Sequence, residues 1–531
     1  MIFTPRESPV LFITQNTILL YLFTIFCQQL FKNLFLVHTI NMKEPEVKDI
    51  INLLKQKPDK EDEELIERAF NFARIAHEGQ KRASGDPYFI HVFETAKNLA
   101  SFEMTPVTIS AGLLHDVIED TKVSRTEMER EFGKEIVTLV DGVTKLGKLK
   151  YRGEERHVES LRKFFVAVAK DFRVLMIKLS DRLHNLQTLQ YVKPEKQKRI
   201  ALESLEVYAP LANRFGIGKL KGEIEDAAFP YVYPEEYQKV KKLIDEKKHA
   251  NTAYLEKIKR ELEKKLDRNN VKPIEIDYRV KHLYSFWKKL QKYKMDIDHI
   301  YDLTALRVIV DTVQDCYLVL GIIHDMWKPL PGRIKDYIAL PKPNGYQSLH
   351  TTVFTGDSGI AEIQIRTLKM HGRAEYGIAS HFNYKEETRN ERVDEKWKWA
   401  NQFKKIAKKE AETPDEFLKD LKMDTFSDRI FVFTPKGAVI DLPEGSCPID
   451  FAYAIHSDIG NTVSSAKVNG KMVPISHVLH SGDIVEIVSN KKSHPASKWL
   501  DYAKTSTARK HINAYLKENS LLSRFLSFGK K

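Results

Sequence analysis

The sequence predicts a multidomain chain of α and α/β class, in which an all-α domain, a mixed α/β domain and a small β-rich unit follow one another. Three observations predict it. The chain has 531 residues with 42% hydrophobic and 30% charged content, too long for one core and ordinary for globular protein. From Glu61 to about Phe229 apolar residues recur at i, i+3, i+4 and i+7, as in EELIERAFNFARIAH and VESLRKFFVAVAK, with few β-rich runs. After that stretch the period changes: IEIDYRV, TALRVIV, HTTVF and AEIQIRT are short β-branched strands set between helices such as YSFWKKLQKY and CYLVLGIIHDMW.

The first forty residues contain an apolar run, Thr17–Cys27, too short to span a bilayer comfortably and without a small-residue cleavage site. Met42 opens a polar, helix-prone segment and looks like a natural start, so residues 1–41 read as a non-functional leader, with a membrane anchor as the alternative. The charged stretch Pro234–Arg268 reads as a helical connector. RIFVFTPKGAVIDL is a hairpin about a Pro-Lys-Gly turn, and with the helix-like DFAYAIHSDIG and the strands AKVNG and DIVEIVS it makes a β-grasp-like unit. A helical segment, Ala496 to Phe528, closes the chain. Three cysteines without metal-like spacing argue against a disulfide framework or a Cys-type zinc site and for a reducing, cytoplasmic setting. A net charge of +12 suits an anionic partner, nucleotide phosphates or RNA, although a lysine-rich surface explains much of it.

GLLHDVIEDT (Gly112–Thr121) is the most chemically loaded segment. Read as one helix, it puts His115 with Glu119, and Asp116 with Asp120, on shared faces. A neighbouring His-Asp offers nitrogen and oxygen ligands to a divalent ion, and carboxylates one turn on can deprotonate a bound water. His91 and Asp181 are the candidates to close the site. An isolated HD dipeptide is common and a helical histidine is usually packed or solvated; the whole set on consecutive helices is far harder to obtain by chance.

This arrangement resembles the HD superfamily of metal phosphohydrolases. AHEGQKRASGDPYFIHV, GLLHDVIEDT, KLSDRLHNLQTL and YAPLANRFGIGKLKGEIED look like the hydrolase part of Rel/SpoT-type bifunctional (p)ppGpp synthetase/hydrolases of the stringent response. The resemblance implies Mn²⁺ held by His91, His115, Asp116 and Asp181, water activation by Glu119 and Asp120, and a nucleotide pocket lined by Arg82, Ser84 and Asn185. Ala83 stands where a lysine is frequent, Asp86 replaces a common Glu, and Ser180 a common Ala; none removes a ligand, and the hydrolase is expected to be active.

The second constellation lies on AEIQIRT, where Glu362, Gln364 and Arg366 alternate with Ala361, Ile363 and Ile365. A lone strand of this kind is more often a solvated face. Here it is preceded by Asp302 and Arg307 in YDLTALRVIV and by Arg333, Lys335, Lys342, Tyr346 and His350 in the run Arg333–Val353. Two carboxylates can hold Mg²⁺ and prepare a hydroxyl while several cations offset a triphosphate, and no P-loop is present. These segments resemble the same family's nucleotidyltransferase-like synthetase domain. That implies transfer of pyrophosphate from ATP to the 3′-OH of GDP or GTP, with Asp302 and Glu362 as metal ligands and catalytic groups. Tyr346 would stack on guanine, and Arg279, Lys281, Arg307, Arg333, Lys335, Lys342, His350 and Gln364 would contact substrate. The basic Arg333-Ile334-Lys335-Asp336 motif is the version associated with bifunctional members.

Residues Phe426–Asn490 resemble a TGS domain, which in this family contacts uncharged tRNA on the ribosome, with His456 at the matching position. By residue chemistry alone an ordinary turn histidine is an equal reading of His456. The domains so read are a leader at 1–41, an HD-type hydrolase at 42–230, a connector at 231–270, a synthetase at 271–400, TGS at 424–490, and the start of a helical domain at 491–531. The family pattern then stops, as in a truncated paralogue or a fragment. Substrates are ATP, GDP or GTP and (p)ppGpp, with uncharged tRNA and the ribosome as partners through TGS and no stable membrane association. Two other readings stay open: mainly a (p)ppGpp hydrolase with a weak synthetase, or a non-catalytic tRNA- or ribosome-binding regulator.

Overall fold

The computed structural model describes residues 44–144, 164–295, 304–342, 344–356, 359–377, 379 and 429–528. The leader lies outside these, as does Asp302. The chain divides into Met1–Asp49, of which only 44–49 are described, and Ile50–Lys531, which holds everything below.

The described part of the first domain is helical. Helix Pro106–Leu114 is its centre, buried along nearly its whole length, and helices Lys60–Ala76, Phe89–Ser101, Arg125–Thr144 and Arg173–Gln187 pack around it. Gly112 permits the closest approach, since a Cβ there would stand 2.3 Å from Leu99 Cδ1. Asp59 caps Lys60–Ala76 by accepting from the Asp62 amide, with acidic residues filling the first turn.

GLLHDVIEDT is not one helix. Helix Pro106–Leu114 stops, His115–Asp116 form a turn, and a short helix Val117–Asp120 follows. The His115 Nδ1 lies 2.8 Å from the Gly112 carbonyl, the acceptor a continuing helix would give to the Asp116 amide. The carboxylates are therefore placed by a turn rather than by a shared helix face.

Pro234–Arg268 is one helix, but it is more than a connector. Its first part packs beside helices Gly218–Val232 and Leu283–Lys292, where Tyr233 and Trp287 rings lie 4.6 Å apart. Its second part buries Leu255, Ile258, Leu262 and Leu266 in the core of the following sheet.

That sheet is mixed and has six strands: β1 (Glu275–Val280), β2 (Thr304–Val310), β3 (Lys328–Pro329), β4 (Lys335–Asp336), β5 (Leu349–Thr355) and β6 (Gly359–Thr367). The order is β1-β2-β6-β5-β3, with β4 also on β5; β2 and β6 are parallel and the other pairs antiparallel. Helix Val313–Met326, opened by a Thr312–Asp315 capping box, lies in the connection between the parallel neighbours β2 and β6 and packs on the face carrying Leu306, Val308 and Ile363. The other face of β6 carries Glu362, Gln364 and Arg366, of which Arg366 is fully buried.

The C-terminal unit has a hairpin of β7 (Arg429–Phe433) and β8 (Val439–Pro443), with Gly437 at φ +81° in its turn. A second sheet runs β10 (Lys471–Val473), β9 (Val463–Val468), β11 (Val485–Ser489), joined to the hairpin at Phe433–Ile484. DFAYAIHSDIG folds as two helices, Pro448–Ile455 and Ser457–Thr462, because His456 is extended at φ −163° and ψ 145°. The closing helical segment is likewise two, Trp499–Tyr502 and Ser506–Phe528. The buried Asp450 carboxylate accepts from the backbone amides of Cys447, Lys504 and Thr505, pinning this segment to the unit. Among the described residues no helix is long and apolar enough to cross a membrane.

Candidate active sites

Three elements meet at the first site. Helix Phe89–Ser101 supplies His91, the turn after Leu114 supplies His115 and Asp116, and helix Arg173–Gln187 supplies Asp181. His91 Nε2 lies 3.5 Å from Asp116 Oδ2 and 3.3 Å from Asp181 Oδ1, and His115 Nε2 lies 3.1 Å from Asp116 Oδ2. Ligand atoms of His91, His115 and Asp116 all fall within 4.8 Å of one another.

The donor set fits a divalent cation. His115 commits Nδ1 to a backbone carbonyl, while its buried Nε2 has no hydrogen-bond partner among the described residues. That is the tautomer and orientation of a metal-binding imidazole. Burial by itself would raise the carboxyls, but His115 beside Asp116 and Lys178 beside Asp181 hold both well below the usual range. Burial opposes charge on His115, yet Asp116 more than offsets it and lifts the ring to about 9. A cation entering here therefore displaces a proton.

Glu119 and Asp120 stand exposed on the short helix beyond the turn. Arg82, from the turn between Lys81 and Pro87, reaches helix Arg173–Gln187 and donates to Asn185 Oδ1 at 2.6 Å. Ser84 Oγ accepts within that turn from the Asp86 amide at 3.4 Å. Three groups absent from the sequence reading take part. The Tyr88 hydroxyl lies 2.7 Å from Asp116 and 2.9 Å from Asp120, and burial and then Asp116 push its ionisation up, so it stays a donor. His184 Nδ1 lies 2.8 Å from His91 Nδ1, and Lys178 Nζ 2.7 Å from Asp181 Oδ2. His184 and Lys178 follow from helical spacing around Asp181; Tyr88 had no such signal.

The second site is a cavity of about 590 Å³ over the open face of β1, β2, β6 and β5. Arg279, Lys281, Arg307, Arg333, Lys335, Lys342, Tyr346, His350, Glu362 and Gln364 all line it. Ten lysine and arginine side chains line it among the described residues, against the carboxylates of Glu362 and Glu375. Such a bowl favours a polyanion. Glu362 Oε1 is held by His350 Nδ1 at 3.2 Å and Gln364 Nε2 at 3.0 Å. The Tyr346 hydroxyl meets His350 Nε2 at 2.8 Å, and Lys342 Nζ stands 5.0 Å above the Tyr346 ring and 4.6 Å above Tyr337. Burial lowers the His350 ionisation despite Glu362 beside it. Arg307 is paired with Asp277 and with Glu375, neither of which the strand pattern marked.

One wall of this cavity comes from the first domain. Gly216, Gly218, Lys219 and Lys221 line it, and Asn344 Nδ2 donates to the Asn213 carbonyl at 3.2 Å. Gly216, at φ +73°, lets the chains touch: a Cβ would stand 2.7 Å from the Asn344 carbonyl. In the C-terminal unit His456 is exposed, with Nδ1 accepting from the Asp458 amide at 3.2 Å.

Residues 69–218 match the HD domain family, 278–389 the region found in RelA/SpoT proteins, and 430–489 the TGS domain. The chain is 45% identical over 484 residues to the guanosine-3′,5′-bis(diphosphate) 3′-pyrophosphohydrolase of Aquifex aeolicus, covering 91% of this chain and 68% of that one. The chain belongs to the Rel/SpoT family of (p)ppGpp synthetases and hydrolases. It is 45% identical to the GTP pyrophosphokinase of Myxococcus xanthus (86% of this chain, 61% of the relative). With the bifunctional (p)ppGpp synthase/hydrolase SpoT of Escherichia coli K12 the identity is 42% (85% and 64%). The chain thus spans about two thirds or less of its relatives' length. Among solved structures, the small alarmone synthetase 2 of Bacillus subtilis is 27% identical over 29% of this chain and 88% of its own, at a TM-score of 0.22, too partial a likeness to add to the fold. An HD domain with this donor set implies dependence on a divalent metal.

Proposed function

We propose that the chain both makes and degrades guanosine 3′-pyrophosphates, at two sites with separate side chains. What carries the reading is the contrast between the sites: a buried His-His-Asp cluster with an open imidazole nitrogen, and a cationic cavity with a carboxylate on its strand face.

At the hydrolase site His91, His115, Asp116 and Asp181 would hold Mn²⁺, which supplies Lewis acidity and a water acidic enough to attack at neutral pH. Asp120, oriented by the Tyr88 hydroxyl, and Glu119 take up and return the proton. Arg82 and Asn185, braced against each other, and Ser84 hold (p)ppGpp so that its 3′-pyrophosphate faces the cluster.

At the synthetase site the 3′-oxygen of GDP or GTP attacks the β-phosphorus of ATP, the β,γ-pyrophosphate moves to that oxygen, and AMP leaves. Glu362, held by His350 and Gln364, accepts the hydroxyl proton. Mg²⁺ would be held by Glu362 and Asp302. Tyr346 stacks on guanine, and Arg279, Lys281, Arg307, Arg333, Lys335 and Lys342 offset the phosphates. The TGS unit offers His456 to uncharged tRNA on the ribosome, and the working compartment is the cytoplasm.

The test measures both rates in one preparation. His115→Ala should lower manganese-dependent pyrophosphate release from ppGpp by about 100-fold or more while synthesis persists. Glu362→Gln should do the reverse. Either variant keeping the wild-type rate at its own site would sink that half of the reading.

A further inference from the structure

The wall of the cationic cavity holds a guanidinium that the proposed chemistry does not use. Arg366, on the same face of β6 as Glu362 and Gln364, is fully buried at 0% exposure, yet it lines the cavity. Its Nε and Nη1 have no hydrogen-bond partner among the described residues. Only Nη2 is engaged, with His371 Nδ1 at 2.7 Å and Glu375 Oε1 at 3.1 Å.

Among the described residues its acidic partner is Glu375, and Glu375 is shared. Glu375 Oε1 also lies 3.1 Å from Arg307 Nη1, and Arg307 takes Asp277 as well. Arg279 acts on the same group electrostatically. Arg279, Arg307 and Arg366 thus share Glu375, while Arg307 also draws on Asp277 and Glu275. His371 adds no counter-charge and accepts from Arg366 as a neutral ring; burial and then Arg366 pull its ionisation down to about 4. Buried guanidiniums are ordinarily paired on all their donors, because each unpaired donor keeps its desolvation penalty. A buried guanidinium left with two open donors on the wall of a cavity is built to receive an anion.

We propose that Arg366 holds a phosphate oxyanion of a nucleotide bound in this cavity, which supplies the missing acceptors. The proposal rests on the synthetase reading above. Both nucleotides of that reaction carry such a group, and the measurement separates them. The competing role is a brace that only positions Glu375 and helix Leu368–Tyr376.

The experiment compares Arg366→Met and Arg366→Lys with the wild-type full chain. Synthesis is measured with ATP and GDP varied separately, and GDP, guanosine and a non-hydrolysable ATP analogue are titrated calorimetrically. Hydrolysis of ppGpp reports folding. In Arg366→Met the KM and Kd for one nucleotide should rise about tenfold or more, with guanosine affinity and hydrolysis within about twofold of wild type. Arg366→Lys, which keeps the charge, should fall between. The nucleotide that responds is the one whose phosphate Arg366 holds. Three results overturn the proposal: both nucleotide affinities unchanged in Arg366→Met, guanosine weakened as much as GDP, or hydrolysis and cooperative melting lost in both variants, which marks a brace. If wild-type protein makes no ppGpp the synthetase reading fails by itself, and the calorimetric comparison still decides whether Arg366 binds phosphate.

Discussion

The imidazole of His115 illustrates how much of this chemistry is set by single hydrogen bonds. Giving Nδ1 to the Gly112 carbonyl both ends helix Pro106–Leu114 and turns Nε2 toward Asp116. Tyr88 works in the same way one step out. Its hydroxyl touches Asp116, a proposed ligand, and Asp120, a proposed proton acceptor, so it fixes the separation of the two. Tyr88→Phe removes that donor without changing the ring's stack on His77. Manganese-dependent ppGpp hydrolysis should fall roughly 10- to 100-fold, as for other residues that orient ligands, with synthesis unchanged. A hydrolysis rate equal to wild type would show that Asp120 needs no such support. On the synthetase side the corresponding brace is His350, bonded to Tyr346 by one nitrogen and to Glu362 by the other.

At the scale of elements, helix Pro234–Arg268 carries two duties along its length. The lysine and glutamate pattern made it a solvated connector, and its exposed faces fit that reading. The apolar residues Leu255, Ile258, Leu262 and Leu266 recur at helical spacing and share one buried core with residues of β2 and β6. Leu262 is fully buried, and Leu262→Ala should destabilise the synthetase domain by about 2–5 kcal/mol. In urea, synthesis should then fail at a lower concentration than in wild type, while hydrolysis, whose proposed side chains stand on other elements, keeps its midpoint. Equal shifts in both would mean that the two domains unfold as one unit. A flexible replacement for the whole helix would remove part of a core, so any test of coupling through it has to spare these four leucine and isoleucine positions.

At the scale of the whole molecule, the two chemistries share a wall. Gly216 and Gly218 belong to the stretch that matches the HD family, yet they line the synthetase cavity beside Asn344. Gly216→Ala puts a side chain at φ +73°, which costs about 1–3 kcal/mol in backbone strain, and sets its Cβ against the Asn344 carbonyl in addition. Because Asn344 lies two residues before Tyr346, synthesis should fall more than hydrolysis when both rates are measured. The opposite order would place the strain in the hydrolase. The C-terminal unit is tied in as well, with Arg214 3.9 Å from Asp441 and Lys292 3.2 Å from Glu444.

Periodicity alone located the helices of the first domain, the strands β1, β2, β5 and β6, and the hairpin β7–β8, because a helix or strand that buries one face must repeat its apolar residues at that period. Residue chemistry and the family resemblance together named side chains that the described residues bring to each site, such as His91, His115 and Asp116 at the first and Tyr346, His350 and Glu362 at the second, while Asp302 lies outside them. Local pattern could not foresee the break at His115, which depends on a side chain competing for a backbone carbonyl. Nor could it assign Tyr88, Glu375 or Asp277, whose partners lie on other elements. Arg366 is the clearest case: in the sequence it is one more polar residue on an alternating strand. Only the packed sheet and the helix beside it bury it, divide Glu375 between two arginines, and leave two of its donors unanswered among the described residues.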